Sequence, residues 1–209
     1  MSTLNTPDSP VAAASAVAAT ADPAPLGLLG FGFTTLMLSL VNAGVFKVTE
    51  GASLVLTLAL FYGGGAQLLA GMWEFRRGNT LGASAFTSYG AFWLVIWYWF
   101  NHFNAAGSSN AVAWFFIGWA VVTAIFTLAS VRTTHALLAV LFFLTLTFLF
   151  LGFGQWQAGG VFNVLNDPGL TKVGGWLGVV TGVLAWYTAA GHVVNATHKR
   201  ELLPLNLKR

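Results

Sequence analysis

The sequence predicts an all-α membrane protein with six transmembrane helices. Hydrophobic residues make up 56% of the 209 positions and charged residues only 7%, so polar side chains are too few to cover a soluble globular surface. Several apolar runs reach the roughly 20 residues that a helix needs to cross a hydrocarbon core of about 30 Å. These runs are continuous, whereas a transmembrane β-barrel shows short alternating strands.

The predicted helices divide the chain into one central domain and two tails. The six predicted spans are residues 26–46, 52–73, 82–100, 111–131, 136–153 and 174–194. Residues 1–25 are rich in Ala, Ser, Thr and Pro and lack both the basic start and the apolar core of a signal peptide, so we expect a disordered tail. The six-helix domain then covers residues 26–195, and residues 196–209 form a basic C-terminal tail.

The distribution of Lys and Arg predicts the orientation in the membrane. With both termini in the cytoplasm, the basic residues on the inner side are Arg76, Arg77, Arg132, Lys199, Arg200, Lys208 and Arg209. Only Lys47 and Lys172 then lie outside, as the positive-inside rule favours. The net charge of +3 therefore reflects topology in a cell membrane, and nothing in the chain resembles a nucleic-acid surface.

Polar side chains recur on one face of each of the first two spans. Phe31, Thr35, Leu38 and Asn42 are separated by helical steps of four, three and four residues, and Gln67 and Glu74 share a face of the second span. Asn42 and Gln67 would be costly against lipid, so both should face protein or water. Two interpretations remain open here: interhelical hydrogen bonds, or the lining of a solute pathway.

Small residues are concentrated in the second and sixth spans. Gly174, Gly178 and Gly182 follow one another at four-residue spacing, which allows another helix to approach closely. We interpret this series as a packing surface, within or between subunits. The glycines at 63–65 fit either packing or a pathway, so small residues alone do not predict a channel.

The sequence offers little for catalysis, and we predict neither an enzyme nor a cofactor. The histidines are His102, His135, His192 and His198. They lie in separate loops or at helix ends, without a second histidine or a carboxylate at the spacing of metal ligands, and there is no Cys. Glu74 is the only acidic residue that could lie on a helix near the membrane, and its neighbours Arg76 and Arg77 suggest an interfacial ion pair or a helix cap.

Several ordered motifs resemble one known family. Residues 22–28 read Asp-Pro-Ala-Pro-Leu-Gly-Leu, which is similar to the Asn-Pro-Ala-Pro-Leu-Gly-Leu signature of the acetate uptake transporter family. Phe-Tyr-Gly-Gly at 61–64, Gly-Asn-Thr at 78–80 and Ala-Phe-Thr-Ser-Tyr-Gly at 85–90 resemble further blocks of that family in order and spacing. The family includes bacterial acetate and succinate permeases and fungal ammonia and acetate exporters, and the resemblance covers about residues 22–195.

The resemblance implies a hexamer in which every subunit has its own narrow pathway, closed by a Phe, a Tyr and a Leu. Carried onto this chain, the constriction consists of Phe31, Tyr89 and Leu144, although Leu141 and Leu146 would satisfy a slipped alignment. Asp22 stands where the family motif has Asn.

The lack of charge inside the spans limits what such a pathway can carry. The neutral polar residues available along it are Thr35, Asn42, Gln67, Thr87 and Ser88. An anion would be bound weakly by such donors, which favours throughput, and an aromatic constriction favours a small acid with a methyl end. We therefore predict acetate and related small monocarboxylates as solutes, with succinate as a further candidate. The alternative is a passive hexameric channel for a neutral solute such as urea, an amide or ammonia.

Glu74 is the one residue that we consider for proton coupling or gating. Proton relays in membrane proteins use ionisable residues inside the bundle, and the apolar runs contain none beyond this edge position. We therefore expect protons to cross together with the substrate.

Overall fold

A computed structural model describes residues 20–103, 109–157 and 169–207, which form a bundle of six long helices and contain no strand. The helices are α1 Ala24–Asn42, α2 Val48–Arg77, α3 Thr80–His102, α4 Ser109–Ser130, α5 His135–Gln157 and α6 Leu170–His198. Five of the six are long and apolar enough to cross a membrane, and α3 has a comparable length of 23 residues. The all-α prediction is confirmed, and each predicted span lies within or close to one helix.

Local chemistry fixes the ends of α2 and the start of α3. At the start of α2, the Glu50 carboxylate accepts a hydrogen bond from the Lys47 backbone N–H at 3.3 Å, which satisfies a donor that has no helical partner. Gly78 ends the same helix with φ +76°, a conformation that glycine adopts without steric cost. Asn79 then caps α3 by accepting from the Gly82 N–H at 3.2 Å.

A π-helical turn at Phe61–Ala66 interrupts α2, and the sequence analysis did not predict it. Such turns add a residue to one turn and are frequent at functional sites. Two of the glycines within this turn are packing residues: a Cβ on Gly63 would lie 2.7 Å from the Thr34 hydroxyl, and one on Gly64 would lie 2.6 Å from Leu94 Cδ2. The glycine cluster therefore brings α2 against α1 and α3.

In the glycine series of α6, Gly178 and Gly182 pack against α1 of the same chain, and Gly174 packs against Leu151 of α5. A Cβ on Gly182 would lie 2.9 Å from the Gly32 carbonyl oxygen, and one on Gly178 would lie 3.0 Å from Ser39 Cβ. Nearer the start of α6, a Cβ on Gly175 would lie 2.8 Å from Ala43 Cα. The structure thus confirms the packing interpretation and places the contact within the subunit.

One glycine–threonine contact occurs in both halves of the chain. A Cβ on Gly71 of α2 would lie 2.8 Å from the Thr87 backbone nitrogen on α3. A Cβ on Gly154 of α5 would lie 2.7 Å from the Thr171 backbone nitrogen on α6. At both places the two helices touch backbone to backbone.

Helices α3 and α4 instead meet through large aromatic rings, with few close backbone approaches. Phe92 packs edge-on against Trp119 with ring centroids 5.1 Å apart and stacks on Phe115 at 5.7 Å. Tyr89 lies 5.9 Å from Trp119. The space between these helices is therefore filled by side chains.

The described part of the predicted C-terminal tail lies against the bundle. The boundary at residue 196 falls inside α6, which ends at His198. Beyond it, the Tyr187 hydroxyl donates to the Pro204 carbonyl at 2.7 Å, and the Ala136 N–H donates to the Leu205 carbonyl at 3.0 Å. Residues 199–207 therefore form an ordered cover over the ends of α5 and α6. Residues 1–19, most of the predicted N-terminal tail, lie outside the described residues.

Gly71→Ala tests the close α2–α3 contact. The new methyl group would collide with the Thr87 backbone, so we expect a loss of about 1–3 kcal/mol in stability. The matched control is Gly118→Ala on α4, where a Cβ would meet nothing within 4 Å. The measurement is thermal unfolding of the purified protein in detergent, and equal melting temperatures for the two variants would contradict the contact.

Candidate solute pathway

A cavity of about 310 Å³ opens at the end of the bundle where α1 begins. Residues of α1, α2, α3, α5 and α6 line it, together with the connection between α4 and α5. On α3 the lining extends from Leu81 to Tyr89, about two helical turns or roughly 12 Å. The volume is at the lower end of the range of about 300–1,000 Å³ that is typical of small-molecule sites.

Two of the predicted constriction residues meet in the wall of this cavity. The rings of Phe31 and Tyr89 have centroids 5.5 Å apart, and their exposed fractions are 4% and 3%. The Tyr89 hydroxyl donates to the Thr123 hydroxyl at 2.9 Å, and Phe126 packs edge-on against the Tyr89 ring at 5.9 Å. Tyr89 is therefore fixed from α4 while its ring contacts α1.

Leu144 is buried in the apolar core with an exposed fraction of 2%. It does not belong to the cavity lining, whereas Leu141, three residues earlier on α5, does. The third member of the constriction stays a prediction, and the structure makes Leu141 a second candidate for it.

Gln67 and Glu74 bring buried polar atoms to the cavity. Both side chains are fully buried from outside solvent and line the cavity. The Gln67 amide has no hydrogen-bond partner within the described part of the chain. The Glu74 carboxylate makes no hydrogen bond of good geometry there, but the Asn79 side chain lies alongside it above Gly82 and interacts with it. Buried polar groups are rarely left unpaired, so these atoms are suited to bind a solute or water.

The other predicted polar residues lie outside the cavity. Thr35 and Asn42 are buried, with a hydroxyl oxygen and an amide oxygen that lack partners among the described residues. Thr87 is half-buried against Gly71, and Ser88 is half-buried beside it. The expectation that Asn42 and Gln67 avoid lipid is confirmed, since both are at most 7% exposed. A pathway role for these four residues stays a prediction.

A charged cluster that the sequence analysis missed lies at the mouth of the cavity. Asp22 bridges two helices: one carboxylate oxygen accepts from Arg77 of α2, and the other lies 3.1 Å from His192 Nδ1 of α6. The hydrogen bond with His192 lowers the pKa of Asp22 most, with smaller contributions from the Ala24 N–H and the Arg77 charge, while partial burial opposes them. Asp22 is therefore ionised at neutral pH.

This cluster corrects two expectations. The sequence analysis predicted an ion pair between Glu74 and its arginine neighbours. For Arg77 this prediction is wrong, because Arg77 pairs with Asp22. His192 does have a carboxylate neighbour, but one that is 170 residues away in sequence. Two features of the sequence could have pointed to this cluster. One is the Asp in the first motif. The other is the spacing of His192, which follows Thr188 by four residues and so shares its helix face; Thr188 lines the same cavity. Among the described residues, no three His, Asp or Glu side chains group as metal ligands.

The fold and the cavity together define a polytopic membrane protein with an internal cavity, the class that contains channels and transporters. The comparison with protein families is more specific, because the profile of the GPR1/FUN34/yaaH family matches residues 4–204. The chain belongs to this family.

Individual relatives support the same assignment. The succinate-acetate/proton symporter SatP of Escherichia coli (strain K12) is 36% identical over 190 residues, which cover 88% of this chain and 95% of that protein. Acetate permease A of Emericella nidulans is 36% identical over 198 residues, covering 88% of this chain and 65% of the permease. A solved structure of the bacterial acetate channel SatP matches with a TM-score of 0.80 and 34% identity, over 90% of this chain and 99% of that chain.

Proposed function

We propose that the protein carries acetate and related small monocarboxylates across the cell membrane, with both termini in the cytoplasm. Similar proteins are named as acetate or succinate-acetate transport proteins. The observation that carries the proposal is the unpaired amide of Gln67 inside a cavity whose wall contains the Phe31–Tyr89 ring pair. No catalytic step is required of this site, and we infer transport without enzymatic activity.

The chemistry of Gln67 suits weak binding of a carboxylate. Its Nε2 group donates two hydrogen bonds and has no partner among the described residues. A neutral donor stabilises an anion less than Arg or Lys does, so a bound solute is also released readily, as conduction requires. The apolar rings of Phe31 and Tyr89 suit the methyl end of the same solute.

Proton movement is proposed to follow the substrate. One relative is named as a proton symporter, so coupling is a reasonable expectation for this chain. Glu74 of α2 lines the cavity, and the other acidic residue of the lining, Asp22, is already paired with Arg77 and His192. We therefore favour protons that cross with the acid over a relay through the protein, and keep Glu74 as a gating candidate.

The proposed assembly is a hexamer in the lipid bilayer, with one pathway in each subunit. Exposed apolar side chains on α4, including Val121, Ile125 and Leu128, are 58–75% exposed in the isolated chain. Such a surface suits either lipid or a neighbouring subunit. The cavity lies within one chain, so transport does not require residues from a partner.

A passive channel for a neutral solute is the alternative. The Gln67 amide both donates and accepts hydrogen bonds, so it also suits urea, an amide or ammonia. Radiolabelled acetate and urea uptake should be compared in liposomes containing the purified protein, with and without an imposed pH gradient. We expect acetate uptake that increases with inward proton flow, and little urea uptake. Urea uptake without acetate uptake would establish the alternative.

Alanine variants test the constriction. Phe31→Ala and Tyr89→Ala remove rings from the cavity wall, so we expect lactate and succinate uptake to rise relative to acetate uptake. Leu144→Ala should do the same if Leu144 is the third member, and Leu141→Ala is its matched comparison on the same helix. The measurement is a panel of labelled acids in liposomes. Folded variants with an unchanged size preference would refute the assignment.

Glu74→Gln tests how protons cross. Because the proton is proposed to move with the substrate, we expect this variant to keep both acetate uptake and its dependence on the pH gradient. Uptake should be measured at several external pH values against the unaltered protein. If acetate flux were intact and its pH dependence were lost, Glu74 would be part of a proton relay and the substrate-borne account would be wrong.

A further inference from the structure

The mouth of the cavity holds a carboxylate in a specific arrangement. Each oxygen of Asp22 has its own partner, Arg77 on one side and His192 at 3.1 Å on the other. All three side chains line the cavity. They are partly exposed, whereas Gln67 and Glu74 are fully buried, so the cluster belongs to the open end of the cavity. A solute that enters from this side comes near the cluster.

We infer that Arg77 and His192 form an entry site for a small carboxylate, and that Asp22 occupies this site as an internal competitor. The inference rests on the proposed function and adds a site to it. An acetate ion has the same two-oxygen group as the Asp22 side chain, so it can accept from the same two donors. Guanidinium groups are well suited to such planar pairing.

The position of Asp22 allows this exchange. Asp22 precedes Pro23 and lies outside α1, which begins at Ala24, so its side chain can turn away without breaking a helical hydrogen bond. Its only other hydrogen bond in the described structure is accepted from the Ala24 N–H at 3.2 Å. By contrast, Arg77 and His192 are held on the helices α2 and α6. Asp22 is thus attached to backbone outside the helices, whereas both donors extend from helical backbone.

The partial exposure of the cluster limits how strongly Asp22 competes with a dissolved carboxylate for Arg77 and His192. The side chains of Arg77, Asp22 and His192 are 33%, 34% and 29% exposed. Ion pairs that remain in contact with water contribute little net stability, so a dissolved carboxylate can displace Asp22. The His192 ring can donate from Nδ1 when it is protonated or in one neutral tautomer, so the site does not require a charged ring.

The variant Asp22→Asn tests the inference. An amide competes poorly with acetate for Arg77, so the KM for acetate uptake should fall by roughly two- to five-fold. Arg77→Gln should raise KM. In the Asp22→Asn/Arg77→Gln double variant, KM should be close to that of Arg77→Gln alone, because the donor that Asp22→Asn would release is absent.

Arg76→Gln is the matched control for charge. Arg76 is adjacent to Arg77 in sequence but is exposed and does not line the cavity. In the Arg76→Gln background, Asp22→Asn should keep its full effect on KM. The rival explanation is that KM responds only to the summed charge near the cavity. In that case Arg76→Gln would raise KM as much as Arg77→Gln does. The Asp22→Asn/Arg77→Gln double variant would then have the KM of the unaltered protein. Either result would overturn the site.

Binding should be measured in parallel with flux. Saturation-transfer NMR on the methyl protons of acetate detects weak binding to the detergent-solubilised full chain without any transport. A stronger signal for Asp22→Asn and a weaker one for Arg77→Gln would support the entry site. An unchanged or weaker signal for folded Asp22→Asn would overturn it. Absent acetate flux in the unaltered protein would refute the proposed function instead, and the NMR comparison would still decide the entry site.

Discussion

Close backbone contact at glycine is the constraint on which the bundle depends. Lipid is as apolar as the helices themselves, so association relies on packing and interhelical hydrogen bonds. Gly182 brings α6 against α1, while Gly71 and Gly154 bring α2 against α3 and α5 against α6. These interfaces are closed, and the cavity lies at the end of the bundle where α1 begins, among side chains of five helices.

The polar groups in that space define its chemistry. The interior of a bundle penalises unpaired polar atoms, yet Gln67 and Glu74 are buried, and the Gln67 amide has no hydrogen-bond partner in the described structure. Their retention is understandable if a solute or water regularly supplies the missing partner. A site of this kind gains selectivity from size and apolar contact, since a single neutral amide distinguishes poorly between anions.

Features set by local sequence could be predicted, and features set by distant contacts could not. The helices and the buried face containing Gln67 follow from apolar length and the 3.6-residue period. The π-helical turn at Phe61–Ala66 could not be inferred because its glycines are also compatible with an ordinary helix. The partnership of Asp22 with His192 spans 170 residues, so no local pattern encodes it. The same applies to Leu144, because the sequence alone does not show which leucine of α5 faces the cavity. That depends on how the helix packs against its neighbours.

The charged mouth also has a consequence for how the chain is made. Asp22 precedes α1, Arg77 ends α2 and His192 lies on α6. Asp22 can therefore contact His192 only after α6 has been synthesised. The cover formed by residues 199–207 is later still. During insertion, α1 and α2 therefore enter the bilayer with this face unfinished. This end of the bundle is completed only by residues that follow α6 in the chain.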